Sequence, residues 1–148
     1  MVPTDGYAVE EPRLTTSGYG AYQRIQAETS SPVGLITLLY DGLRTDLMRA
    51  ELGLERGDLE LVNARLSRAQ EIVMELLVSL DRSYGEIPEQ LAALYDYMYQ
   101  RLLHANLHKD RQAVREVAEL VNTIAEAWAV ASRNAQQPGT GAQPAQAA

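Results

Sequence analysis

The sequence predicts an all-α fold: an antiparallel up-down four-helix bundle with a short additional N-terminal helix. Apolar residues recur at steps of three and four through four long segments, and no segment alternates in the manner of a strand series. Short connections between the four segments place successive helices as antiparallel neighbours. At 148 residues the chain is long enough for one such domain with a buried core.

Three regions are expected along the chain: a flexible N-terminal arm over residues 1–18, a helical domain over 19–135 and a disordered tail over 136–148. The arm and the tail carry Pro and Gly with little apolar periodicity. Between the arm and the first long helix, the segment Tyr19–Glu28 predicts a short helix with Tyr19, Tyr22 and Ile25 on one side.

The first long helix is predicted to begin with Ser31 as N-cap and Pro32 at the first helical position. Its apolar residues cover an arc of about 200° on a helical wheel, whereas one core contact needs about 100° or somewhat more. Either the helix is buried on two sides, or one side lines a groove for a partner helix. Asp46 falls inside this arc, and we expect it to pair with an arginine or to lie at a groove rim. The arc comprises Leu35, Ile36, Leu38, Leu39, Tyr40, Leu43, Leu47, Ala50 and Leu54.

The other three long helices show narrower apolar seams. Gly57–Asp58 is predicted to end the first helix and cap the second, the run Tyr84–Pro88 to separate the second from the third, and Asp110 to cap the fourth. The seams are Val62, Leu66, Ala69, Val73, Leu76 and Leu80; then Leu91, Tyr95, Met98, Leu102 and Ala105; then Val114, Val117, Val121, Ile124, Trp128 and Ala131.

Charge and composition exclude several classes of function. The net charge of −7 argues against binding to nucleic acid and against docking on anionic lipid. No apolar run approaches the ~20 residues that span a bilayer, so we expect no membrane insertion. The chain has no cysteine. Its first residues show neither the basic segment nor the apolar segment of a secretory signal peptide, so we expect a cytoplasmic location.

Catalytic and metal-binding patterns are weak. His104 and His108 are spaced to share one helix face, but without a third ligand we expect a solvated pair near a helix end. The chain has neither a phosphate-binding loop nor a nucleophile elbow. We therefore expect no enzyme activity, no metal and no cofactor.

A protein-binding groove is the remaining prediction. We expect Ile36, Tyr40, Leu43 and Leu47 of the first helix to line it, with Tyr99, Leu103 and Asn106 of the third helix opposite or adjacent. Two alternatives stay open. One is a helical scaffold that self-associates, for instance as a homodimer, and the other is a small-molecule site lined by Tyr95 and Trp128.

Several short motifs, in their order and spacing over residues 20–128, resemble the flagellar secretion chaperone family, FliS. Two positions depart from the family's pattern: Gly34 replaces the glutamate of a capping box, and Asp46 stands where an apolar residue is preferred. The motifs are Ala21-Tyr22, Ser31-Pro32, Leu38-Leu39-Tyr40-Asp41-Gly42, Leu94-Tyr95-Asp96-Tyr97-Met98 and Leu103-His104-Ala105-Asn106 ahead of Asp110, with Trp128 closing the last helix.

The resemblance implies a chaperone that binds the disordered C-terminal segment of flagellin. Such a protein prevents premature polymerisation in the cytoplasm and docks on the cytoplasmic domain of the flagellar export gate, without a cofactor. The family's N-terminal tyrosine region corresponds to Tyr19 and Tyr22, which are expected to contact the gate or to act as a switch released on client binding. A permanently packed fifth helix is the alternative for this segment.

Overall fold

The computed structural model describes residues 31–135, and the predicted arm, short N-terminal helix and tail lie outside them. The described residues form four α-helices and one 3-10 turn, Arg82–Tyr84, and contain no strand. The all-α prediction is therefore confirmed for this part of the chain. The helices are α1, Pro32–Arg56; α2, Leu59–Val78; α3, Glu86–His108; and α4, Arg111–Ala135.

The chain divides into two compact units, Met1–Leu35 and Ile36–Ala148, and α1 begins in the first of them. At this start the side-chain oxygen of Ser31 accepts a hydrogen bond of 3.0 Å from the backbone N–H of Gly34. The Ser31 carbonyl accepts the N–H of Leu35 at 3.0 Å. The predicted N-cap, with Pro32 at the first helical position, is confirmed. The packing described below concerns the second unit.

The connection from α1 to α2 is a two-residue turn. Gly57 adopts a φ of 71°, the Asp58 N–H donates to the Gly53 carbonyl at 2.8 Å and the Gly57 N–H donates to that of Leu54 at 3.3 Å. This pattern of bonds is the Schellman motif, which needs a left-handed residue after the helix end. The Asp58 side chain then accepts the N–H of Leu61 at 3.1 Å and caps α2, as predicted.

The segment between α2 and α3 is shorter than the sequence pattern suggests. Asp81 caps the 3-10 turn by accepting the Ser83 N–H at 3.1 Å, and Gly85 has a φ of 104°. α3 then begins at Glu86, inside the run that was expected to interrupt the helices. Pro88 is tolerated there because N–H groups in the first helical turn have no intrahelical partner.

Asp110 caps α4 as predicted. One of its carboxylate oxygens accepts the N–H groups of Gln112 at 3.0 Å and Ala113 at 3.3 Å. These bonds, with the backbone bond of Ala113 as the largest cause, hold the pKa of Asp110 below its usual value. Lys109, with a φ of 51°, supplies the left-handed residue that ends α3.

The core of the second unit lies where the four seams meet. Tyr40, Leu43, Leu47 and Ala50 of α1 are buried, so most of the wide apolar arc faces the interior. The seams of α2, α3 and α4 are largely confirmed, although Leu80, Leu91, Ile124 and Trp128 are only partly buried and Ala131 is exposed. The buried seam residues are Val62, Leu66, Ala69, Val73, Leu76, Tyr95, Met98, Leu102, Ala105, Val114, Val117 and Val121.

Within residues 31–135, no helix combines the length and apolar character needed to cross a membrane.

Candidate functional site

The three central α1 residues assigned to an open groove lie in the core instead. Tyr40 is 4% exposed, Leu43 0% and Leu47 1%. Ile36, the fourth, is partly buried and packs against the core cluster. The prediction that these α1 side chains line an open surface is therefore wrong for Tyr40, Leu43 and Leu47. The physical reason is that α1 contacts α2, α3 and α4, so its wide apolar arc is covered on more than one side.

Tyr40 joins α1 to α3 and α4 at once. Its hydroxyl lies 2.5 Å from that of Tyr95, and its ring packs edge-on against Trp128 with 6.2 Å between the centroids. The indole N–H of Trp128 donates to Thr37 Oγ1 at 2.9 Å. Burial raises the pKa of both tyrosine hydroxyls, so both stay neutral in the folded chain. Tyr95 and Trp128 thus contact Tyr40, which fills space that the small-molecule alternative would need.

The three α3 residues assigned to the groove share a face that borders α2. Tyr99 lines a surface groove of about 570 Å³ between α2 and α3, which we call the α2–α3 groove. Asn106 donates a hydrogen bond of 2.9 Å to the side chain of Asn63 on α2. Leu103 is 40% exposed and lies one helical turn from Tyr99. This half of the predicted site is brought together on one accessible surface.

The α2 side of this groove was not predicted. It contributes Ser67, Gln70, Glu71, Met74 and Glu75, and Met74 is 41% exposed. The polar members look like an ordinary solvated face in the sequence, and only their spacing of three and four residues could have indicated a shared surface. Amide, hydroxyl and thioether groups beside a tyrosine can bind a mixed polar and apolar segment, because each makes adaptable contacts.

Asp46 is explained by an ion pair at the α1–α2 contact. One carboxylate oxygen lies 3.1 Å from Arg65 Nη1, and the other lies 3.5 Å from Arg68 Nε. The second oxygen makes no hydrogen bond, so Arg68 is an electrostatic neighbour only. Since Asp46 is 1% exposed, its charge requires these arginines. The predicted pairing with an arginine is confirmed.

A charged network connects α1 to the first turns of α4. Glu51 Oε2 accepts from Arg115 at 2.5 Å and from Arg111 at 3.3 Å, and Arg111 also reaches Glu55. The hydrogen bond from Arg115 is the largest cause that lowers the pKa of Glu51. On the other side of α4, Arg101 donates to Glu116 at 2.8 Å. These contacts are largely exposed and fix helix positions with modest energy.

The two histidines lie at the end of α3 near the cap of α4. Their ring centroids are 4.5 Å apart, and His104 Nε2 lies 3.3 Å from an oxygen of Asp110. Among residues 31–135, no group of three or more His, Cys, Asp or Glu side chains is arranged to hold a metal ion. Tyr19 and Tyr22, assigned to gate contact, lie outside the described residues.

The described part of the chain thus defines a small helical domain with an aromatic core contact and an accessible groove between two helices. Comparison with known proteins gives a consistent result. A family model described as flagellar protein FliS matches residues 15–135. The chain belongs to the FliS family.

Three relatives with the printed name flagellar secretion chaperone FliS illustrate the similarity. The chain is 45% identical to that of Salmonella typhimurium over 120 residues, 77% of this chain and 89% of the relative. It is 35% identical to that of Bacillus subtilis over 125 residues, 83% of this chain and 93% of the relative. It is 41% identical to that of Escherichia coli over 117 residues, 75% of this chain and 86% of the relative.

Proposed function

We propose that the protein is a flagellar export chaperone that binds the disordered C-terminal segment of flagellin in the cytoplasm. Membership of the FliS family over residues 15–135 is the observation that carries this proposal. Covering the segment prevents flagellin from polymerising before export, and the complex is delivered to the cytoplasmic domain of the export gate. The mechanism needs no catalysis and no cofactor.

The arrangement that suits this function is an antiparallel up-down bundle. The connections Gly57–Asp58 and Lys109–Asp110 are two residues long, too short to carry the chain back along a helix. Side-chain contacts support neighbouring positions for α1 and α4, since Arg44 Nε donates to Asn122 Oδ1 at 3.1 Å. A short helix ahead of α1 remains part of the proposal.

We place the client at the α2–α3 groove. Tyr99 contributes the α3 side, with Leu103 and Asn106 further along the same helix face, and Gln70 and Met74 contribute the α2 side. Tyr99 and Met74 supply apolar surface, while amide groups can pair with the backbone of a segment that binds in extended form. Ile36 remains a candidate at a partly buried position, whereas Tyr40, Leu43 and Leu47 support the helices from inside.

Binding is coupled to folding of the client. A disordered segment loses conformational entropy when it is ordered, and burial of apolar surface must offset that loss. A modest groove on the chaperone therefore suits a long client, which gains contacts along its length. Tyr19 and Tyr22 are proposed to contact the export gate or to be released when the client binds. Unchanged hydrogen-exchange protection of residues 19–25 on client binding would exclude the release.

Calorimetric titration with the C-terminal segment of the cognate flagellin tests the proposal. We expect one-to-one binding with a strongly negative heat-capacity change, because apolar surface is removed from water. A segment of equal length from the middle of flagellin is the matched control and should not bind. Absence of detectable binding by a folded sample would overturn the function, and a self-associated chain without client affinity would favour the scaffold alternative.

A further inference from the structure

A second surface has a charge opposite to that of the chain as a whole. The chain carries a net charge of −7, yet two arginines of α1 and two of α2 are exposed or partly exposed. Arg49 and Arg56 are seven residues apart on α1 and therefore share a face, while Arg65 and Arg68 approach Asp46 from α2. Asp46 is three residues before Arg49, so the two arginines that approach it from α2 lie on a flank of α1 next to that of Arg49. We call these four residues the basic face.

The positive charge of the basic face is not balanced locally. Asp46 is the carboxylate that Arg65 and Arg68 share, and it is buried. Arg49 and Arg56 are exposed and form no ion pair among residues 31–135. Attraction of Arg56 to the negative end of the α1 dipole explains its position but not that of Arg49, which is two turns earlier.

Apolar side chains lie beside these arginines. Met48 is 63% exposed and Leu52 is 37% exposed, and both line a groove of about 640 Å³ with Arg49 and Leu61. Glu51 and Glu55 border the same groove, but Arg111 and Arg115 already bind them. Exposed methionine and leucine beside Arg49 form an amphipathic surface, which is typical of a contact with another protein.

We propose that the basic face is a docking surface for an acidic amphipathic helix of a partner protein. Two carboxylates seven residues apart would face Arg49 and Arg56, which are about 10.5 Å apart along the helix axis at 1.5 Å per residue. A leucine between the carboxylates would contact Met48 and Leu52. Guanidinium groups suit this role because they bind carboxylates with two parallel hydrogen bonds.

Charge complementarity favours a short acidic helix over an extended polyanion. A nucleic acid or an anionic membrane would also meet the rest of the surface, whose net charge is negative. A helix of about two turns interacts mainly with the local positive field, because charges beyond about 10 Å are screened at 0.1 M salt. The groove beside Arg49 and the α2–α3 groove have no lining residue in common, so a partner and a client would use different side chains.

A designed peptide tests the proposal directly. The probe is a fluorescent alanine-rich helix with glutamates at positions i and i+7 and leucine at i+3, and its control carries glutamines at those two positions. We expect the glutamate peptide to bind the full chain at least about tenfold more tightly than the control. The double variant Arg49→Gln/Arg56→Gln should lose this preference. Arg82→Gln/Arg133→Gln, which changes two other exposed arginines, should keep it.

Several outcomes would overturn the proposal. These are no binding of the glutamate peptide, equal binding of the two peptides, or equal loss in the control variant. Tighter binding of phosphatidylglycerol vesicles or of a single-stranded oligonucleotide, with the same dependence on Arg49 and Arg56, would identify a different class of ligand. Circular dichroism should show unchanged unfolding for the two double variants. The Arg49→Gln/Arg56→Gln protein should retain its affinity for the flagellin segment, which separates this proposal from the proposed function.

Discussion

At the scale of single residues, the buried pair of tyrosines is the clearest case in which a polar group is held by one distant partner. Tyr40 and Tyr95 are 55 residues apart, and their hydroxyls are 2.5 Å apart in a buried setting. A buried hydroxyl that loses its partner keeps its desolvation cost but gains nothing in return. The pair therefore fixes α1 against α3 more specifically than apolar contact alone.

Replacing one of these tyrosines by phenylalanine should destabilise the protein. We expect Tyr40→Phe or Tyr95→Phe to cost about 1–3 kcal/mol in urea unfolding at pH 7, and the double variant to cost less than the sum. Tyr97→Phe is the control, since Tyr97 is 43% exposed, and should cost well under ~1 kcal/mol. Additive losses would show that the two hydroxyls do not interact.

Because of the same tyrosine pair, the stability of the folded protein should fall at alkaline pH. The folded pKa values are raised, so the stabilisation is fully present below the unfolded pKa of ~10 and is lost as pH rises toward the folded values. The double phenylalanine variant should show a smaller loss of stability above that pH. Equal losses of stability in the native chain and in this variant would show that the two tyrosines are not the cause of the pH dependence.

The Asp46 ion pair should respond asymmetrically to substitution. Arg65→Met leaves a carboxylate that is 1% exposed with only Arg68 nearby, and we expect a loss of about 1–3 kcal/mol. Asp46→Leu leaves Arg65 and Arg68, which are 25% and 62% exposed, able to reach water, so the loss should be smaller. Asp46→Leu/Arg65→Met should lie close to the native stability. A double-mutant cycle measures these three stabilities, and equal losses in the two single variants would contradict the expected asymmetry.

At the scale of helices, α1 and α2 approach closely where α1 has glycine. A Cβ atom at Gly53 would lie 2.9 Å from Val62 Cγ2 and 3.2 Å from the Asp58 carbonyl oxygen. A Cβ atom at Gly42 would lie 3.4 Å from Ile72 Cδ1, an ordinary contact. The two glycines therefore have different roles: close packing requires Gly53, whereas Gly42 only lowers helix propensity.

Alanine substitutions separate the two roles. Gly42→Ala should raise the unfolding free energy by about 0.5–1 kcal/mol, the propensity gain of alanine over glycine. Gly53→Ala should lower it by about 1–3 kcal/mol, because the fixed backbone of Asp58 cannot move away easily. Thermal unfolding of both variants, with Gly53→Ala/Val62→Ala as a partial rescue, provides the measurement. Stabilisation by Gly53→Ala would show that the helices are not in close contact there.

Periodicity predicted the helices well because each of α2, α3 and α4 buries one stripe. Residues such as Val73 and Val121 follow directly from steps of three and four. The α1 arc could not be assigned in the same way, since a helix wheel gives the width of an apolar surface but not what covers it. Tyr40 looked accessible because tyrosine often lies at surfaces, and only the fold places Tyr95 against its hydroxyl.

At the scale of the whole molecule, the predicted site separates into core and surface. The α1 members Tyr40, Leu43 and Leu47 are buried, whereas Tyr99 borders the α2–α3 groove and Leu103 is exposed on the same helix face. The α2 lining could be inferred only from its spacing of three and four residues, because Ser67 and Gln70 resemble any solvated face. Client binding and stability should therefore depend on different residues.

The affinity of the double variant Tyr99→Ala/Leu103→Ala for the flagellin C-terminal segment is the most direct test of whether the client binds at the α2–α3 groove. Titration calorimetry should show a loss of at least about tenfold, because Tyr99 at the groove and Leu103 on the same helix face are truncated while the fully buried core residues stay in place. Leu47→Ala, the core control, should lose about 2–5 kcal/mol of stability and keep native affinity at a temperature where it is folded. Native affinity of Tyr99→Ala/Leu103→Ala, together with lost affinity of folded Leu47→Ala, would show that the client does not bind at the α2–α3 groove.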